Sequence, residues 1–207
     1  MVSNMQEKRE KILKEALKIV PFEGWTNKTL IEATISANLE KRYAKIAFPN
    51  GVAQLVEFYL RDLDCKMSDK LKGQKFDNLK VREKIALAIK TRLEMAEKEK
   101  SVIRKTVSYF AIPCNHFHSM KSIWKTVDTI WYAVGDKSAD FNYYTKRSLL
   151  AGVYSSTLLY WLNDKSENHE NTWKFLNRRI ENVMIINKAK SSFYNSFTTL
   201  NNNKKHA

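Results

Sequence analysis

The sequence predicts an all-α fold on three observations. Its 207 residues hold only five glycines and three prolines, and these fall between long segments. Within those segments apolar residues recur at the i, i+3, i+4, i+7 spacing of a helix, and nowhere do apolar and polar residues alternate as in a strand. A chain of this length suits one domain, or one domain with a small appendage, and can bury a sizeable core.

From Glu7 to Val20, Ile12, Leu13, Ala16, Leu17 and Val20 repeat at helical spacing, and Pro21 is expected to end the run. Phe-Glu-Gly-Trp then makes a turn. A second helix from about Thr26 carries Leu30, Ile31 and Ala33 inward, and a third spans about Leu39 to Ala47. Three short helices in this pattern form a helix-turn-helix module, residues 5–47. Pro49-Asn50-Gly51 opens a longer helix with Val52, Leu55, Val56, Tyr59, Leu60 and Leu63 on one stripe. Lys66 to Phe76 reads as a helix end and a loop around Gly73, and Asn78 as the cap of the next helix. In that helix Val81, Ile85, Ala88, Ile89, Arg92 and Met95 share a face, and Arg82, Lys84 and Lys90 lie opposite. A helix from Ser101 to Ile112 stops at Pro113.

Phe117 to Val134 fits one strongly amphipathic helix, closed by Gly135 as a left-handed cap. The stretch from Gly135 to Leu162 begins polar, with Asp136, Ser138 and Asp140 able to cap a helix, and ends uncharged from Ser148 to Leu162. Apolar or small residues on every side of that second half predict a helix packed on several faces, too short to cross a bilayer. After a turn at Asn163–Asn168, Trp173, Leu176, Ile180, Val183 and Met184 mark a last core helix to about Asn187. Residues 48–187 thus read as a C-terminal helical domain, and 188–207 as a basic tail, disordered or an amphipathic helix.

The net charge of +14 favours an anionic partner, and its placement is uneven. Residues 1–46 carry nine basic and six acidic side chains, residues 66–105 thirteen and six, and the last twenty four lysines and no acid. Cys65 and Cys114 form no CxxC pair, which suits a reducing compartment. The opening residues mix charge signs and lack the apolar core of a secretory signal.

Signals of chemistry are sparse. Cys114, His116 and His118 are the one metal-like cluster, but no fourth ligand motif accompanies them and a loop with surface histidines accounts for them. Asp136 and Asp140 are explained by capping more simply than by acid–base work. No phosphate-binding glycine loop or dinucleotide fingerprint occurs, and the reading is of a protein that is not an enzyme and holds no metal. The bulky apolar residues of the second half can pack as core or enclose an apolar pocket between helices. The pocket candidates are Met120, Trp124, Val127, Trp131, Val153, Leu158, Trp161 and Trp173.

Residues 10–47, with Ile12-Leu13-Lys14-Glu15-Ala16-Leu17 and Glu23-Gly24-Trp25, resemble the DNA-binding module of TetR-type regulators. Phe48-Pro49-Asn50-Gly51, the run Trp124 to Trp131, the run Gly135 to Arg147 and Thr172-Trp173-Lys174-Phe175-Leu176 resemble a narrower group, the ubiquinone-biosynthesis accessory family known as coenzyme Q protein nine. The resemblance covers about residues 10–187. It implies a TetR-like, all-helical homodimer with an apolar pocket that binds isoprenoid lipid, a ubiquinone precursor, and presents it to a membrane-associated hydroxylase. It places the partner-binding surface on Asp136, Asp140, Phe141, Asn142, Tyr143, Tyr144, Lys146 and Arg147. Tyr143 stands where the family commonly has tryptophan; tyrosine keeps a flat apolar face with one polar handle, so an altered contact is expected. The location implied is cytoplasmic and peripheral to the inner membrane, or the mitochondrial matrix side if a transit peptide has been removed. An anionic membrane surface is then the expected partner for the basic segments, and nucleic acid is not. The rival reading is a TetR-type regulator that contacts DNA through Lys41, Arg42, Tyr43 and Lys45 and takes an effector in its pocket.

Overall fold

The computed structural model describes residues 2–73, 78–136 and 141–183, without the side chains of residues 2, 3, 141 and 142. The expectations for Ser138, Asp140, Met184, Asn187 and the tail from residue 188 lie outside the described residues. Among those described there are helices and turns and no strand. Contacts divide the chain into two units, Met1–Arg147 and Ser148–Ala207.

The first unit contains the helix-turn-helix module and the helices that follow it. Helix α1 (Val2–Glu23) buries Ile12, Leu13, Ala16 and Val20, as their spacing requires. It runs through Pro21, a correction to the expected stop. Proline removes the amide that would bond the Leu17 carbonyl, and the helix runs only two residues beyond it. The helix closes instead at Gly24, whose amide donates to the Val20 carbonyl (2.9 Å) at φ +74°. Thr26 caps α2 (Asn27–Ser36) by accepting from the Thr29 amide. α2 ends with Asn38 in the left-handed region, Leu39 N–H reaching the Thr34 carbonyl and Asn38 N–H that of Ile35. This closure occupies residues 38–39, so α3 (Arg42–Ala47) starts later than its apolar pattern suggests.

Gly51 is fixed by its surroundings. Its φ is +64°, and a Cβ there would lie 2.6 Å from Asn27 Oδ1, which accepts from the Val52 amide that begins α4. α4 (Val52–Lys72) ends before Gly73, as expected, with Met67 and Leu71 continuing its buried stripe through the basic stretch. α5 (Val81–Met95) begins after Lys80 rather than at an Asn78 cap. Glu83, three residues on, accepts from the Lys80 amide (2.9 Å) and fixes the start there. α6 (Lys100–Ala111) leads through a tight turn at Pro113–Asn115 into α7 (His116–Ala133).

Two groups of polar contacts tie these elements together. Trp25 Nε1 donates to Thr106 Oγ1 (2.9 Å) and its ring lies 5.8 Å from that of Tyr59, whose hydroxyl donates to Glu99 (2.8 Å). The module is thereby keyed to α4 and α6. Deeper, Arg92 Nε donates to Asp64 Oδ1 (2.7 Å), and the Thr126 hydroxyl lies 3.0 Å from Asp64 Oδ2, joining α5, α4 and α7. This explains an arginine on the apolar face of α5.

Helix α8 (Phe141–Asn163) contains the division between the units. Beyond Ser148 it buries Leu150, Val153, Tyr154, Thr157, Trp161 and Leu162, and exposes Gly152 and Leu159. One face is therefore buried, a correction to the helix packed on several faces. In the second unit Tyr160 stacks on Phe175 (4.6 Å, 13°). Asp164 accepts from the amides and hydroxyls of Ser166 and Thr172 and so starts the helix of residues 170–183, α9. Burial pushes the Asp164 carboxyl up, but these hydrogen bonds outweigh it and hold the group well below the usual carboxylate range.

Candidate functional site

The end of α7 and the start of α8 build one cluster within the first unit. α7 carries Trp124, Asp128 and Trp131 at i, i+4 and i+7, on one side of the helix. It ends in a left-handed closure at Gly135 (φ +87°), with Asp136 N–H on the Trp131 carbonyl (3.0 Å) and Gly135 N–H on that of Tyr132 (3.0 Å). On α8, Tyr143, Lys146 and Arg147 fall at i, i+3 and i+4 and point to the same place.

Arg147 is the centre of the cluster and is 4% exposed. Its Nε donates to Asp128 Oδ1 (2.6 Å) and its Nη1 lies 3.5 Å from Asp136 Oδ2. Lys146 Nζ donates to Asp136 Oδ1 (2.8 Å) and lies 5.4 Å above the Trp131 ring. The Tyr143 hydroxyl donates to Asp128 Oδ1 (3.1 Å), and the Arg147 guanidinium sits 3.4 Å from the Tyr143 ring centroid. Such a cation over an aromatic face adds attraction to the packing. Above this layer the rings of Trp124, Tyr143 and Tyr144 meet, Tyr143 and Tyr144 edge to face at 5.1 Å and Trp124 at 6.1 Å from Tyr144. Tyr144 is 63% exposed. The arrangement fixes an aromatic rim on a charged base and offers it to solvent.

Five of the eight residues read as partner-binding are brought together here: Asp136, Tyr143, Tyr144, Lys146 and Arg147. Asp140 lies outside the described residues, and Phe141 and Asn142 are described only as the helical backbone that starts α8. Asp136, read as a cap, has its carboxylate held by Lys146 and Arg147. Asp128 was missed by the sequence reading, although it anchors both Tyr143 and Arg147. Its position four residues after Trp124 was the available signal.

The apolar pocket candidates fall in both units. In the first, Val127 and Trp131 are buried, Trp124 is half-buried and Met120 is 72% exposed. In the second, Val153 and Trp161 are buried, and Leu158 and Trp173 are half-buried, with Trp173 Nε1 donating to the Asn168 carbonyl (2.8 Å). An open groove of about 410 Å³ runs between α4 and α7, lined by residues including Leu60, Arg61, Asp64, Lys72, Ser122 and Asp128, and by none of the eight candidates.

Cys114 and His116 are exposed, and His118 Nδ1 lies 3.0 Å from Glu57 Oε1. Among the described residues no three His, Cys, Asp or Glu side chains are placed to hold a metal. Lys41, which precedes α3, and Arg42 and Lys45 on it are exposed; Arg42 pairs with Glu40 (2.8 Å) and Lys8 lies 4.1 Å over the Tyr43 ring.

The fold is that of the TetR-type proteins. The TetR transcriptional regulator from Nitrosomonas europaea ATCC 19718 superposes with a TM-score of 0.67, over 84% of this chain and 95% of that one, at 19% identity. Within that fold, residues 117–187 match the COQ9 family model, the span that carries α7, the aromatic rim and α8. Three relatives align over most of the chain. The probable ubiquinone biosynthesis protein coq9, mitochondrial, of Dictyostelium discoideum is 34% identical over 89% of this chain and 62% of its own length. The ubiquinone biosynthesis proteins COQ9, mitochondrial, of Rattus norvegicus and Homo sapiens are 32% and 30% identical, over 85% and 86% of this chain and 58% of their own lengths. The chain thus carries a COQ9 family domain and is similar to COQ9 proteins over most of its length, spanning about three fifths of the length of these relatives.

Proposed function

We propose that the chain acts in ubiquinone biosynthesis as an accessory protein that binds isoprenoid quinone precursors at a membrane and presents them to a hydroxylase, without being the catalyst itself. The relatives named for that pathway support the setting. The observation that carries the docking step is the aromatic rim: Tyr144 stands in solvent while Tyr143, Arg147 and Asp128 hold its neighbours still. A rigid, half-exposed aromatic cluster beside charges has the composition of a protein-binding hot spot.

Presentation needs extraction, because a polyprenyl chain stays in the bilayer unless apolar area elsewhere covers it. Burial regains about 25 cal/mol per Å² of apolar surface, so each isoprene unit held offsets part of that cost. The basic stretch 66–105 would draw the protein to anionic lipid at about 1 kcal/mol per near-surface charge. Action as a homodimer belongs to the same reading.

Replacing Tyr144 by Lys should abolish co-purification with the hydroxylase while the thermal midpoint stays put; unchanged capture would remove the docking step. Native mass spectrometry followed by lipid extraction tests the cargo, and protein that carries no prenyl lipid would remove that part.

A DNA-binding reading has one observation in its favour, the exposed Lys41, Arg42 and Lys45 on a TetR-like module. Arg42 is engaged by Glu40, and phosphate contacts alone position a protein without reading sequence. Specific nanomolar gel shifts at physiological salt would favour the regulator.

A further inference from the structure

The corner between α6 and α7 has the composition of a core and the exposure of a loop. From Thr106 to Met120 there is no Asp, Glu, Lys or Arg, in a chain of which 28% is charged. The uncharged stretch Ser148 to Leu162 buries one helix face, whereas from residue 107 to 120 no residue is buried. Phe117 is 76% exposed, Met120 72% and Ile112 48%. Contiguous apolar surface of this kind marks a surface that something covers.

We propose that this corner is where the protein meets the bilayer, inserting Ile112, Phe117 and Met120 among the lipids of an anionic membrane. It rests on the membrane-linked reading above and names the contacting surface. Three features favour lipid over a protein as the occupant. The apolar side chains sit at the junction of a helix pair, around the turn at Pro113–Asn115. Basic residues bracket them on both sides, Arg104 and Lys105 before, Lys121 and Lys125 after. Glu57, the acid facing the α7 side, is engaged by His118, Lys121 and Lys125. Cations at the headgroups with apolar tips below them is the pattern of a monotopic contact.

The turn is also prepared for an apolar phase, where an unsatisfied carbonyl is costly. Asn115 Nδ2 donates to the Tyr109 carbonyl (2.9 Å), His116 Nε2 lies 3.3 Å from that of Ala111, and the Ser108 hydroxyl donates to that of Arg104 (3.1 Å). At the end of α6 the carbonyls of Tyr109 and Ala111 thus have side-chain partners from the turn itself.

Cys114, exposed at the tip, allows a direct test in the full chain. In the Cys65→Ser variant, an environment-sensitive fluorophore on Cys114 should shift blue and brighten with mixed phosphatidylcholine–phosphatidylglycerol vesicles, and much less with phosphatidylcholine alone. The Phe117→Glu/Met120→Glu double variant should keep its thermal midpoint and lose binding to the mixed vesicles by about tenfold or more. Unchanged binding by the double variant, or a fluorophore that stays water-like while the protein sediments with vesicles, would overturn the proposal and leave the contact to other basic segments. Loss of hydroxylase capture or of self-association with vesicle binding intact would also overturn it, making the corner a protein interface. The vesicle assay contains no hydroxylase, so its failure is separable from that of docking through Tyr144.

Discussion

Two charged networks meet helix α7 on different sides, and they differ in how far water reaches them. At Thr126, Asp64 and Arg92 are both buried, Arg92 at 1% exposure, and every member joins one helix to another. At Asp128, the cation Arg147 is buried but its partner Asp128 is nearly half-exposed, and the network ends in solvent at Tyr144. Removing an ion from water costs several kcal/mol, repaid only by close geometry and further hydrogen bonds. The first network meets that demand internally and acts as a lock. The second leaves its acid wet and acts as a platform that sets the pose of aromatic rings.

The sharpest way to break this contrast is Arg92→Ala. It strands Asp64 without its cation and should cost about 3–5 kcal/mol in denaturant unfolding. Asp64→Leu/Arg92→Met should recover most of that loss, since two apolar side chains leave no buried charge. A single-variant loss below about 1 kcal/mol would mean the pair is no lock. At the platform, Asp128→Asn should cost less, about 1–2 kcal/mol, because Arg147 keeps Asp136 while losing its nearest anion. Hydroxylase capture should fall with it, as Tyr143 loses its anchor. Tyr144→Lys should move stability by no more than about 0.5 kcal/mol, being exposed, and yet show the greater loss of capture.

The smallest effect is a pH dependence at Glu57, between the networks and the α6–α7 corner. Burial pushes its carboxyl up, but the His118 hydrogen bond and the Lys121 and Lys125 charges outweigh this, so its pKa in the folded chain lies below the ordinary 4.5. Its contribution to stability is therefore complete above pH 4.5 and lost as the pH falls through that lower value. Comparing acid unfolding of the chain and of Glu57→Gln checks this: the two curves should converge at low pH, and parallel curves would mean Glu57 is not coupled to folding.

Much of the fold was legible in the residues. The apolar spacings of α1, α4 and α7 placed those helices, and Gly135 was readable as the stop of α7. Boundaries were less so, because they depend on particular hydrogen bonds. Pro21 stayed inside α1, Asn38 and Leu39 were used to close α2, and Glu83 set the start of α5 from three residues away. At the site, Tyr143 and Tyr144 stood out as a pair, whereas Asp128 looked like any polar residue on a helix.

By itself the sequence determined the helical class, the order of the helices and the uncharged run from Thr106 to Met120, because periodicity and composition belong to neighbouring residues and need no partner. Tertiary structure alone decided that Arg92 answers Asp64, 28 residues before it, that Arg147 answers Asp128, and that one uncharged run buries a face while the other is left in solvent. Those outcomes depend on which helix faces which, and a packing geometry is set by the whole chain at once.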